Sequence, residues 1–375
     1  MRNYTSSSLK PVPHQKQIPA AGRGRIRRRL LTWYDRNRRD LPWRRRAADP
    51  YAQWVAEAML QQTRVETVLN YYERFLKRFP DVPALARASR EAVLKHWEGL
   101  GYYRRVVHLH EAAKQLAGEG ASIPSSSQEF RRLPGVGPYL AAAIASIAFE
   151  ERTAAVDGNV ARVISRLMGV ADDVQSGSGR RAIQSLADQL IPPGRPGDFN
   201  QAWMDLGSAI CTPRAPDCDA CPLSGQCVAL ATGMTDELPV LRARRAPIEV
   251  RCVTAMFMDA CRMLVRRRPD KGLWSGLWEF PTIEIGSKTK PRDPRQSIRK
   301  LGTSYGAKPT AAPEHVASVS HRLTHRAMTF EVYLCPARAT AAASDESPTR
   351  WVTPRGFARL AVSTAHRRIC TAAPK

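Results

Sequence analysis

Apolar positions along this chain recur at helical spacing up to about residue 228 and fall into short strand-like runs beyond about residue 248. Ile26, Leu30, Leu31, Trp33 and Tyr34 form one stripe on a helix beginning near Arg23. Leu41-Pro42 stops it, because proline disfavours helical geometry in the residue before it. Asp49-Pro50 supplies a capping acid and a proline at the first helical position, so a helix is predicted over 51–62, with Trp54, Val55, Ala58 and Met59 on its apolar face. An amphipathic helix over 65–79 is closed by Pro80, and a glycine-flexed turn over 97–105 leads into the next. The apolar run 139–149 is long enough for a buried helix and too short to span a membrane. Two glycine-bounded turns flank it, Pro134-Gly135-Val136-Gly137 and Asp157-Gly158-Asn159. Residues 177–179 read as a loop, 182–190 and 199–210 as helices, and 250–258, 262–267 and 327–334 as strands, with a short helix near Gln296.

Periodicity is lost between 229 and 247, where Arg242, Arg244 and Arg245 gather, and this stretch reads as a linker. A second basic, proline-rich stretch covers 288–295. The first thirty residues contain no acid, and residues 1–24 are expected to be a disordered basic tail. Their Arg, Ser and Pro content leaves organelle targeting open, but they hold no apolar core for a secretory signal.

Charge narrows the class of partner. Lys and Arg number 58 against 34 Asp and Glu, a formal net charge of +24, which points to a polyanion. With no basic amphipathic anchor and no apolar run long enough to cross a bilayer, nucleic acid is expected rather than a membrane. Four of the eight cysteines, Cys211, Cys218, Cys221 and Cys227, crowd into one loop spaced C-x6-C-x2-C-x5-C. Such crowding in a large chain reads as a metal site in a reducing compartment, and the spacing alone leaves an iron-sulfur cluster and zinc both open.

Candidate chemistry lies in four places. Glu57, one turn after Trp54, stands at the margin of an apolar stripe, where desolvation would raise its pKa and let it hold a proton near neutrality. The turn before 139–149 opens a helix whose free N–H groups suit a phosphate. Asp157 and Asn159 offer a carboxylate and an amide, and serve equally as turn former and helix cap. The stretch 97–105 interleaves aromatics with cations, as stacking on bases and holding phosphates requires. Tyr103, His108 and His110 read as structural.

In one order, the motifs LPWR, DPYAQWVAEAMLQQT, WEGLGYYRR, LPGVGPY, VDGNVARV, FNQAWMDLG and the four-cysteine loop resemble the MutY-type adenine DNA glycosylases of the helix-hairpin-helix superfamily. The resemblance covers about residues 30–352. It implies a multidomain protein: an all-α helix-hairpin-helix glycosylase region over 25–228, with a 4Fe-4S loop at 211–227, then a smaller α+β Nudix-like domain over 248–371. It implies a monofunctional, monomeric base-excision-repair enzyme that removes adenine opposite 8-oxoguanine or guanine in double-stranded DNA, working in the cytoplasm at the nucleoid.

The resemblance also assigns roles. Glu57 would protonate adenine, Asp157 would stay ionised to stabilise the sugar cation, Asn159 would hold that carboxylate or the sugar, and Tyr139 would support the transition state. Related strand-nicking enzymes carry lysine where Tyr139 stands. Trp43 and Arg44 are matched to the adenine pocket, and Gly135 and Gly137 to the phosphate-gripping hairpin. Gln62, Thr63, Leu100 and Tyr102 are matched to positions that wedge the duplex and surround 8-oxoguanine. Two departures stand out: Leu140 replaces the family's threonine, and Leu323-Thr324-His325 replaces its Phe-Ser-His recognition loop, keeping the hydroxyl and losing the ring. No run of glutamates marks a Nudix hydrolase, so the second domain is expected to read rather than hydrolyse. Two other readings remain: a thymine or pyrimidine mismatch glycosylase of the same superfamily, and a non-catalytic helix-hairpin-helix DNA-binding protein.

Overall fold

The computed structural model describes residues 17–242, 246–285, 293–340 and 348–372. Most of the tail, Arg244, Arg245 and residues 288–292 of the basic stretch lie outside these. Helices come first: α1 (Ala20–Asn37), α2 (Pro50–Leu60), α3 (Val65–Arg78), α4 (Val82–Arg87), α5 (Arg90–Trp97), α6 (Arg104–Gly118), α7 (Ser127–Phe130), α8 (Pro138–Phe149), α9 (Gly158–Met168), α10 (Gly177–Leu190), α11 (Pro196–Ala209) and α12 (Val228–Ala231). Then follow β1 (Ile248–Asp259), β2 (Arg262–Arg267), β3 (Trp278–Glu279), β4 (Thr282–Ile285), α13 (Pro294–Tyr305), β5 (Ala307–Pro309), β6 (Glu314–Arg322), β7 (Arg326–Ala339), β8 (Thr349–Val352), α14 (Pro354–Arg359) and α15 (Thr364–Ala372). No described helix is long and apolar enough to cross a membrane.

The chain divides into two compact units, each built from two segments: Met1–Gln62 with Gln115–Ala243, and Thr63–Lys114 with Arg244–Lys375. In the first, α1, α9, α10 and α11 enclose a core that includes Leu30, Tyr34, Ile164, Leu190, Phe199 and Leu206. α2 packs on α8, and because neighbours cover it all round, every residue from Tyr51 to Met59 is buried. Asp49 caps α2, its side chain accepting from the Ala52 N–H at 3.0 Å.

Three expectations are corrected here. The basic tail does not extend to residue 24, since α1 starts at Ala20 and Ile18, 4% exposed, already belongs to the core. Arg27 explains the anchoring, donating to the carbonyls of Gln189, Leu190 and Ile191 at the end of α10. Residues 177–179 are not a loop but the first turn of α10, capped by the Ser176 hydroxyl, which accepts from the Gly179 N–H. A side chain at Gly179 would run into the Asp173 carbonyl, so glycine serves close packing here rather than flexibility. The stretch 229–247 is ordered in its described part: α12 begins just before it, and Leu238 is 1% exposed with its carbonyl accepting from Arg166 Nε at 2.8 Å.

In the second unit, β1 runs parallel to β7 from Ile248↔Arg326 to Met258↔Pro336, and antiparallel partners flank them in the order β3-β2-β1-β7-β5, with β4 on β1, β6 on β7 and β8 on β2. Alternation along β1 sends Val253, Ala255 and Phe257 to a core with Ile298 and Leu301 of α13. Glu279 is buried within this unit between Arg266 and Arg268, at 2.6 and 2.7 Å, with His366 alongside. Burial alone would raise its carboxyl, but the bond and charge of His366 and the charges of Arg268 and Arg266 hold it well below the usual range. It acts as an internal counter-ion.

Candidate active site

Four side chains singled out in the sequence lie within the first unit and are linked by hydrogen bonds or electrostatics. Glu57, from the middle of α2, is 5% exposed. Tyr139, in the first turn of α8, donates its phenol to Glu57 Oε2 at 2.8 Å and faces the Met204 sulfur at 3.7 Å. Burial pushes the Glu57 carboxyl up to about 7; the Tyr139 bond opposes this, the charge of Asp157 adds to it and that of Arg44 opposes it. The pattern placed Glu57 at a stripe margin, whereas it lies in a fully enclosed helix, so desolvation is stronger than the pattern implied.

Asp157 caps α9, accepting from the Val160 N–H at 2.7 Å through one oxygen and from the Asn159 amide at 3.1 Å through the other. The same carboxylate therefore caps and faces Asn159. Its pKa is nonetheless raised, because burial outweighs the bonds from Val160 and Asn159 and the charge of Arg162. Retaining its charge in the half-buried turn depends on those donors.

Sequence reasoning missed the residues that brace this turn. Arg162, 8% exposed, donates from Nη2 to Asn159 Oδ1 at 2.9 Å and to the Gly207 carbonyl at 2.6 Å, and from Nε to the Cys211 carbonyl at 2.8 Å. Arg166, one turn on and also buried, donates to the Thr212 carbonyl at 2.7 Å and faces the Cys211 sulfur at 3.4 Å. Gly207 allows α11 to approach, since a Cβ there would stand 2.8 Å from that of Asn159. All three sit inside or beside quoted motifs, and the available signal was two arginines spaced i, i+4 on an otherwise apolar helix face.

Other candidates fall in different settings. Trp43 is 3% exposed, and Arg44 is bound to Gln201 at 2.9 Å and Asp205 at 2.7 Å. Gly135 takes φ +73°, and both it and Gly137, the residue just before α8, are exposed, so the turn reaches the surface at the start of a helix. Gln62 is exposed at φ +61°.

In the second unit, Thr63 Oγ1 accepts from Arg105 at 3.0 Å, and Leu100 is buried at 5% exposure. Tyr102, 47% exposed, shares a 3.0 Å hydrogen bond with Thr324 in the β6–β7 hairpin, where His325 is also exposed. His110 is buried against the Ala88 carbonyl, in keeping with a structural role.

Cys211, Cys218, Cys221 and Cys227 are all half-buried free thiols. Burial raises Cys218, Cys221 and Cys227, and each also feels the charge of Cys211, so the thiols face a shared region. Among the described residues, no three His, Cys, Asp or Glu side chains close around a single-ion position.

Comparison with known proteins joins these sites. Residues 55–193 match the family described as HhH-GPD superfamily base excision DNA repair protein, and residues 252–372 match the NUDIX domain. The adenine DNA glycosylase of Rattus norvegicus is 35% identical over 397 residues, covering 92% of this chain and 77% of its own. That of Homo sapiens is 36% identical over 395 residues, covering 91% and 72%. Among solved structures, a thermostable thymine-DNA glycosylase aligns at TM-score 0.51 and 31% identity, over 56% of this chain and 97% of its own. The likeness runs through the helical and the Nudix-like regions alike, and the chain belongs to the adenine DNA glycosylase family of base-excision-repair enzymes.

Proposed function

We propose that this adenine glycosylase acts on adenine opposite 8-oxoguanine or guanine in duplex DNA and that it is monofunctional. The observation that carries the chemistry is Glu57, buried, bonded to Tyr139 and poised to be half-protonated near pH 7. Breaking an N-glycosidic bond leaves positive charge on the sugar and negative charge on the departing base. Glu57 as the acid hands its proton to the adenine, and Asp157 as the anion stabilises the sugar until water adds. Tyr139 orients Glu57 and offers no amine, so no Schiff base forms to nick the strand. The exposed Gly135–Gly137 turn suits a phosphate of the flipped strand.

The thiol loop fits a 4Fe-4S cluster. Its four donors are all thiols, and Cys218, Cys221 and Cys227 each feel the charge of Cys211, which suits the all-thiolate ligand set of an iron-sulfur cluster. Cys211, Cys218, Cys221 and Cys227 would hold it, and a bound cluster would supply a rigid centre for the loop rather than hydrolytic chemistry. In the second unit, Tyr102 and Thr324 offer adjoining, exposed hydroxyls, apt for reading the base opposite adenine.

Duplexes carrying A:8-oxoguanine, A:G, G:T or an oxidised pyrimidine, followed by identification of the released base, test this reading. Free adenine from the first two, with the strand uncut until alkali is added, is expected. The likeness to a thymine-DNA glycosylase supports one alternative, and release of thymine from G:T without release of adenine would establish it.

A further inference from the structure

Arg367 and Arg368 are consecutive on α15, and they hold the two sides of the Tyr102–Thr324 pair. Arg367 donates from Nε to Glu98 Oε1 at 2.5 Å and from Nη2 to Oε2 at 3.2 Å. Arg368 donates from Nη1 to the Ser320 carbonyl at 3.0 Å. Glu98 precedes Tyr102 by four residues and Ser320 precedes Thr324 by four.

Neither intervening stretch has much slack. Between Glu98 and Tyr102 the backbone takes φ +101° at Gly99, +73° at Gly101 and +47° at Tyr102. At that φ a side chain at Gly99 would be strained, and it would also meet the Tyr71 hydroxyl. Trp97 Nε1 donates to the Gly101 carbonyl at 3.1 Å, and Arg105 donates to the same carbonyl at 3.2 Å. On the other side, the Leu323 N–H donates to the Arg326 carbonyl at 2.8 Å and closes the hairpin. Lys95 reinforces the first anchor, donating to Glu98 at 2.6 Å and to the Ala358 carbonyl at 2.7 Å.

We propose that Arg367 and Arg368 form a clamp that positions Tyr102 against Thr324 and so sets which base is accepted opposite the target adenine. The proposal rests on the reading that this pair faces that base. A recognition group must be held to within about 0.5 Å to discriminate. One helix gripping both sides four residues upstream fixes their separation, which neither segment achieves alone.

Arg367 also donates to the Phe357 and Leu360 carbonyls, so its loss disturbs packing; Arg368, exposed and with a single bond, carries the test. Single-turnover adenine release is measured on A:8-oxoguanine and on A:G. Arg368→Ala is expected to lower the ratio of the two rates about three- to tenfold, the effect of one hydrogen bond, while the A:G rate stays within about twofold. Arg368→Lys is expected to restore part of the ratio. In a Tyr102→Phe background, Arg368→Ala is expected to change the ratio no further, because the contact it positions is already gone. Parallel loss on both duplexes, or an additive loss in the double variant, would make Arg368 merely structural and overturn the clamp. A wild-type preference for A:8-oxoguanine that Arg368→Ala keeps in full would overturn the clamp alone. A wild type with no such preference would overturn the reading of the pair itself, and the clamp with it.

Discussion

The phenol of Tyr139 donates to Glu57 Oε2 at 2.8 Å, yet burial, not this bond, dominates the proton affinity of the carboxyl. As the proton donor, Glu57 is active in its acid form, and burial holds its carboxyl up at about 7. Single-turnover base release should therefore decline as pH rises through about 7, approaching tenfold per unit above it. The stability sign runs the same way: the fold binds this proton more tightly than the unfolded chain, so the contribution is full below about 4.5 and is lost as pH rises to about 7. Glu57→Gln should remove the alkaline limb and lower the rate about 10²- to 10⁴-fold, with duplex affinity retained in a gel-shift titration.

Asp157→Asn separates the two duties of that residue. Asparagine caps a helix about as well as aspartate, so the thermal midpoint should move little. Base release should fall about 10²- to 10³-fold or more, since the anion facing the sugar is gone. A variant that kept its rate would reduce Asp157 to a cap.

Arg162 binds Asn159 on one side and the Cys211 carbonyl on the other. Arg162→Gln should lower stability by about 1–3 kcal/mol and slow base release while duplex binding persists. Calorimetry and single-turnover kinetics on the same preparation check both. Gly207→Ala should imitate the kinetic part, because its methyl would press on Asn159 from α11.

Removing a thiol tests the loop. The purified wild type should be brown and contain iron, and Cys218→Ser should lose colour, iron and thermal stability together. A colourless, zinc-loaded wild type with full activity would rule out the cluster.

Much of this site was visible in the pattern because its residues also shape the backbone. Asp49-Pro50 and Asp157 are helix starts before they are anything else, and the four cysteines declare themselves by spacing. The harder parts depend on what a segment packs against. A stripe along α2 could not show that the helix is covered all round, so the burial of Glu57 was underestimated. Ser176-Gly177-Ser178-Gly179 has the composition of a loop, but a close approach to Asp173 makes it a helix start. Arg162 and Arg166 counted toward a charge directed at DNA, and only tertiary structure shows them turned inward on carbonyls.

The interleaving of the two units bears on how the chain acquires its structure during synthesis. The first unit includes residues as late as Val240, whose carbonyl accepts from the Val174 N–H at 3.2 Å, and Thr63–Lys114 emerges from the ribosome well before the sheet that completes its unit. Until then Glu91 lacks Trp278 and Arg350, and Glu98 lacks Arg367. A nascent chain that ends near residue 242 thus carries acidic groups on and just after α5 whose partners have yet to be made, and surface of that kind is open to aggregation.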